Sequence, residues 1–188
     1  MKKELDEQLC STFPLLYADR HASMKATCLC WGFDCGDGWF NLIYDLSTKL
    51  EKIIASTSDC GYCECGDKKD EHIDGWSSCR RIIEGTKWQK SEQAFKCECQ
   101  LYHAQKPKAS QVKEKFGELR FYMTNYDDEI DRFIEEAEDL SAITCEECGK
   151  SGTLRKINHW LYTRCDACFE KEIQRLDEYK NQPIIKLI

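Results

Sequence analysis

Four cysteines toward the C-terminal end constrain this chain more than any other feature: Cys145-x2-Cys148-x16-Cys165-x2-Cys168. Two cysteines two residues apart can grip one ion from a tight turn, and two such pairs complete a tetrahedral thiolate shell. Gly149 follows the first pair, where the turn needs a permissive backbone. The second pair opens an expected helix from about Asp166 to Lys180, whose first amides favour thiolates. Turn, hairpin and helix start follow one another in this order. The expectation is a zinc ion held by Cys145, Cys148, Cys165 and Cys168. With four protein ligands the ion would be structural rather than catalytic. The competing reading is a set of free buried or redox-active thiols.

Composition bears on which reading is favoured. Fourteen cysteines in 188 residues would suggest disulfides in a secreted chain. The first residues, MKKELDEQLCSTF, lack the apolar stretch of a secretory signal. No apolar run approaches membrane-spanning length either. The expectation is a soluble cytoplasmic protein with reduced cysteines, and there clustered cysteines mean metal. A formal net charge of -7 lowers the expectation of broad nucleic-acid binding, which needs basic surface to displace counterions. Three prolines and ten glycines argue against long low-complexity linkers.

Periodicity outlines the rest. Lys2 to about Arg20 reads as helical, broken or kinked near Pro14. Cys28 to Phe40, CLCWGFDCGDGWF, reads as a loop punctuated by Gly32, Gly36 and Gly38. Phe40, Ile43, Leu46, Leu50, Ile53 and Ile54 predict an amphipathic helix from Trp39 to about Ala55. Gln111–Phe116 and Leu119–Met123 predict a hairpin turning at Gly117-Glu118, with a single bent strand as the alternative. Asp127 to Ala142 predicts a second helix, with Ile130, Phe133, Ile134, Ala137 and Leu140 as its apolar stripe. Its first turn carries Asp127, Asp128, Glu129 and Asp131, which complement the helix dipole, and Glu135, Glu136, Glu138 and Asp139 extend the acidic face, with Arg132 nearly alone as a counter-charge. A dense acidic face can dock on a basic partner surface, although a plain solvated helix face is commoner.

Residues 56–108 look like an insertion, polar and poor in apolar residues, which could order itself only with a staple. Cys60-x2-Cys63 and Cys97-x-Cys99 could close a second four-thiolate shell across it, with Cys65, Cys79, His72 and His103 in reserve. The alternative is a flexible segment with scattered thiols. Cys28, Cys30 and Cys35 could bind metal with Cys10, but packing as small core residues is the favoured reading. Asp37 and Trp39 read as a turn residue and a core aromatic.

Catalysis finds little to build on. The His-x-Glu and Pro-Cys-x-x-Cys halves of a zinc deaminase are both missing. Asn158-His159 hints at an HNH-type nuclease, but the helix that follows carries no histidine, and His159 reads as a hairpin tip. The phosphate-loop, nucleophile-elbow and His-Glu-x-x-His patterns are not found. Nucleic-acid binding draws on Arg155, Lys156, His159, Trp160, Tyr162 and Arg164, and on Lys113, Lys115, Arg120, Phe121 and Tyr122. Ordinary strand alternation, with aromatics inside and basic residues in water, explains the same pattern and is favoured.

Gly32-Phe33-Asp34-Cys35-Gly36-Asp37-Gly38-Trp39, the run Gln111 to Tyr122, and Cys145-Glu146-Glu147-Cys148-Gly149, in that order and with these helices between, resemble a family of small bacteriophage and bacterial zinc-binding proteins. The resemblance spans most of the chain outside the insertion and the first residues. The resemblance implies a shorter connection in many relatives where this chain has its Cys-rich segment, which marks the segment as an elaboration. The resemblance carries over no catalytic residues. It implies a phage or mobile-element setting, where small non-enzymatic proteins act on host machinery or host defences in the host cytoplasm.

The fold expected is small α+β. Residues 1–55 would form the N-terminal helical part of the core, 56–108 a Cys-rich insertion, 109–144 the hairpin and acidic helix, and 145–188 a zinc module whose turn, hairpin and helix start resemble a treble-clef zinc finger. The function expected is a non-enzymatic, zinc-stabilised protein that binds a host protein. A nucleic-acid-binding regulator is the alternative.

Overall fold

The computed structural model describes residues 1–56 and 106–180. The first helix, α1 (Lys3–Thr12), carries Glu4 and Asp6 in its first turn and buries Asp6 and Leu9. It stops short of the expected span. Proline disfavours helical backbone at the residue before it, and Phe13 leaves the helix at φ -123° and ψ 64°. A series of turns follows, carrying Leu16 and Tyr17 into the core.

The glycine-rich stretch is more than a loop. It begins with a short 3-10 turn, Cys28–Trp31, capped by the Thr27 side chain, which accepts from the Leu29 amide. Next comes β1 (Phe33–Asp34), then a second 3-10 turn, Asp37–Trp39, that leads into α2 (Phe40–Ser56). Strand β1 pairs in parallel with β2 (Lys108–Lys115), Phe33 opposite Val112. A two-residue strand is too short to show an alternation, so the sequence did not announce it.

Strands β2 and β3 (Glu118–Thr124) form the expected hairpin, with a bulge between Ala109 and Gln111. The turn lies one residue earlier than expected. Phe116 and Gly117 take φ of 59° and 87°, the positive values a two-residue primed turn requires. Glu118 therefore opens β3, opposite Lys115.

Helix α3 (Asp128–Ser141) is capped by Asp127, whose carboxylate accepts from the Glu129 and Ile130 amides at 3.1 Å. It buries Ile130, Ile134, Ala137 and Ser141. Leu140, expected in that stripe, is 53% exposed. At 3.6 residues per turn it lies roughly 90° from the middle of the buried face. Helices α2 and α3 run antiparallel: Trp39 at the start of α2 donates to the Thr144 carbonyl beyond the end of α3, while Lys49 reaches Glu136 at 3.3 Å.

The core lies between these two helices and the three-stranded sheet, with Trp39, Leu29, Val112, Leu119 and Ile130 almost fully buried. Tyr17 packs edge-on to Phe33 and shares a 2.6 Å hydrogen bond with Ser47. A second, two-stranded sheet forms from β4 (Thr153–Ile157) and β5 (Trp160–Arg164), and α4 (Asp166–Lys180) follows. The tip of this hairpin is Asn158-His159, both at positive φ.

Candidate metal centre

The segment from Cys145 to Cys148 is a tight turn. The Gly149 amide donates to the Cys145 carbonyl at 2.8 Å, and the Cys145 amide donates to Lys150 at 2.7 Å. Gly149 completes the turn at φ 75°. Beyond the hairpin, Cys165 precedes α4 and Cys168 lies in its first turn, where the Phe169 amide donates to the Cys165 carbonyl at 2.9 Å. The two turns face each other, and the four sulfur atoms all lie within 4.8 Å of one another.

This spacing tests the choice between metal and disulfide. A tetrahedral thiolate shell with bonds of about 2.3 Å has sulfur–sulfur edges of about 3.8 Å. A disulfide needs about 2.05 Å. Cys148 and Cys165 stand 3.6 Å apart, and all four residues are free thiols. The cluster is therefore built to hold a metal ion.

Electrostatics point the same way. The Cys168 amide, aimed at the Cys165 sulfur, is the main reason that thiol is lowered to about 7. Burial pushes the Cys168 thiol up, and the neighbouring sulfurs push it further. Four sulfurs this close resist ionising together unless a cation sits among them, and a divalent ion supplies that charge.

The turn is also docked on the core. The Gly38 amide donates to the Glu146 carbonyl at 2.7 Å, and the Gly36 amide to a Glu146 carboxylate oxygen at 2.8 Å. The other Glu146 oxygen accepts from Arg164 at 3.1 Å, and Trp39 Nε1 donates to the Thr144 carbonyl at 2.8 Å. A Cβ on Gly38 would meet the Cys145 carbonyl oxygen at 2.3 Å, so only glycine permits this approach. Burial raises the Glu146 carboxyl, and Arg164 and the Gly36 amide hold part of that rise back.

Glu146 and the two glycines were not singled out from the sequence as partners. The available signal was a glutamate between two metal ligands, together with a Gly-x-Gly-Trp run far away in the chain. Trp39 is the core aromatic expected, and Asp37 is a turn residue held by the Lys2 amide and ammonium at 2.7 and 2.9 Å.

The other sequence candidates divide. Cys35 packs in the core, and burial pushes its thiol up to about 12. Cys10 is half-buried, and burial also brings its thiol to about 12. Cys28 does not pack inside: it opens the 3-10 turn with its side chain exposed, because Leu29 takes the inward position. Among the described residues these cysteines join no metal-holding group. Cys60, Cys63, Cys97 and Cys99, with Cys65, Cys79, His72 and His103, lie outside the described residues.

The three arginines of the hairpins are engaged with carboxylates, whereas Lys113 and Lys115 lie 5.6 Å from the Tyr122 and Phe116 ring centroids and Lys156 is exposed. Arg155 pairs with Asp166 and stacks 4.8 Å from the Phe169 ring centroid. Arg164 pairs with Glu146 and Glu147, and Arg120 with Glu118 and Glu138. Phe121 is buried, whereas Trp160 is 68% exposed at the end of the metal-site hairpin.

Neither protein-family models, nor curated proteins, nor solved structures give a significant match to this chain. Among the described residues, no helix is long and apolar enough to cross a membrane.

Proposed function

We propose that this chain is a zinc-stabilised, non-enzymatic protein that works by binding another protein. Four thiolates complete a tetrahedral shell around zinc and leave it no open position for substrate, so the metal would serve folding. In this reading the C-terminal module is a treble-clef-like finger, with its turn, hairpin and helix each placed around the ion. The observation that carries the reading is where the charge goes. Arg120, Arg155 and Arg164 are paired with carboxylates of this same chain, while the carboxylates of Asp128, Glu129, Glu135 and Asp139 are presented to solvent along α3, against Arg132 as the exposed cation of that helix. Such a surface favours a basic protein over a polyanion. The resemblance to phage and bacterial proteins makes a host protein the natural partner, and a defence or nucleic-acid-processing factor its sharper form.

A tagged pull-down from bacterial host lysate, with and without nuclease and read by mass spectrometry, tests this. One dominant protein retained after nuclease is the expected result. Recovery that collapses with nuclease would replace the reading with nucleic-acid binding, for which exposed Trp160 and Lys156 would be the starting point.

A further inference from the structure

The metal site and the end of α3 share an exposed apolar patch. Leu140 and Ile143 are 53% and 60% exposed, and Phe116 and Leu154 are 65% and 55% exposed. They come from three separate segments that the fold brings together. Thr144 bridges Ser151 in antiparallel register, and the Gly152 amide donates to the Ile143 carbonyl at 2.8 Å. Ile143 and Leu154 therefore fall on the same face of that ladder. Leu154 in turn lies over Gly117, its Cδ1 only 2.4 Å from where a Cβ there would stand, beside Phe116. Leu140 precedes Ile143 by one helical turn. Apolar side chains gathered at a surface mark interaction sites more often than scattered ones do.

What surrounds the patch indicates what fits it. Along α3, Glu136, Leu140 and Ile143 follow one another at helical spacing, with Asp139 alongside. Glu136 is paired with Lys49 and Arg132 is exposed on the same face, so among the described residues the free, exposed carboxylates there are those of Asp128, Glu129, Glu135 and Asp139. The surface thus runs from an acidic stretch into an apolar end over the roughly 18 Å of α3 between Asp128 and Leu140. The chain leaves toward the Cys-rich segment from Ser56 and returns beside Lys108, which pairs with Thr124 near the start of α3. Both connections lie at the far end of α3 from the patch.

We propose that this surface docks a cationic segment with a bulky apolar anchor: lysines or arginines lie along α3, and a leucine, isoleucine or phenylalanine sits among Leu140, Ile143, Leu154 and Phe116. The inference rests on the protein-binding reading above and adds the chemistry of the partner. The charge steers and orders the segment, and burial of the anchor supplies most of the affinity.

Selection from a random 15-residue peptide library on the immobilised, metal-loaded chain tests the inference. Enriched peptides should combine several basic residues with at least one large apolar residue. Their affinity should fall at least ten-fold on the double variant Ile143→Ser, Leu154→Ser. It should fall similarly, with a weaker salt dependence, on Glu135→Lys, Asp139→Lys. Circular dichroism and metal content of both variants should match the parent. Peptides that bind both variants as well as the parent, peptides without basic residues, or no enrichment at all would overturn the proposal. A nuclease-resistant partner in the pull-down would still stand in each of those cases, so the two readings fail separately.

Discussion

Adding one methyl group at Gly38 would place a carbon 2.3 Å from the Cys145 carbonyl oxygen, 2.5 Å from the Gly149 amide nitrogen and 2.6 Å from that of Cys148. All three are backbone atoms of the metal-binding turn, so no side-chain rotation relieves the clash. The turn has to retreat from the core by roughly 1 Å, since contacts closer than about 3 Å are repulsive. That retreat weakens the Gly38–Glu146 hydrogen bond at 2.7 Å and strains those from Gly36 and Trp39. Overpacking of this kind costs about 1–3 kcal/mol, and each weakened hydrogen bond about 1 kcal/mol. Gly38→Ala is therefore expected to lose about 3 kcal/mol, which for a chain of this size lowers the melting temperature by roughly 6–12 °C. Thermal unfolding followed by circular dichroism, with metal content measured on the same sample, is the assay. A melting temperature within 1–2 °C of the parent, about the shift expected from a surface change, would refute the docking of the turn on the Gly36–Trp39 segment.

Further outcomes follow from other contacts. Trp39→Phe removes the donor to the Thr144 carbonyl and should cost about 1–2 kcal/mol in chemical denaturation. Arg20→Ala leaves the largely buried Asp6 carboxylate without its two 2.9 Å hydrogen bonds and should cost about 3 kcal/mol. Burial raises the Asp6 carboxyl, but the Arg20 fork outweighs burial and holds it below the usual carboxylate range. The pair's stabilisation is therefore complete above about pH 4 and is lost as pH falls through the lower folded value. Urea titrations from pH 6 to pH 3 should show parent and Arg20→Ala converging at the acid end. Chelation should expose the amides of β4, β5 and α4 to hydrogen exchange before those of β2 and β3, because none of the described side chains of α4 is fully buried.

The helices were legible because their apolar residues recur at a period that the core rewards. Ile43, Leu46, Leu50 and Ile54 in α2, and Ile130, Ile134 and Ala137 in α3, are buried as periodicity requires. Leu140 broke the pattern because a stripe read from sequence has no sharp edge, and that residue falls on the rim. The clustering of Cys145, Cys148, Cys165 and Cys168 was legible for a different reason: cysteine pairs two residues apart encode a local geometry that needs no tertiary information. The docking of Glu146 on Gly36 and Gly38 was hidden, since it joins segments about 110 residues apart and its main donors are backbone amides. Strand β1 was hidden as well, because two residues held by a parallel neighbour leave no trace in composition. Cys28 and Cys35 show the limit of residue type alone: they lie seven positions apart, one exposed and one buried, and only the path of the chain decides which.

Metal stoichiometry of the full chain beside the Cys145→Ser variant tests the central claim most directly. Both would be purified without chelator, analysed by elemental mass spectrometry and titrated with cobalt(II) as a spectroscopic stand-in. The account predicts that the variant binds one ion fewer and loses the absorption of a tetrahedral four-thiolate cobalt centre. Equal metal content in the two proteins, with the cobalt spectrum unchanged, would contradict the assignment of Cys145, Cys148, Cys165 and Cys168 as one metal site.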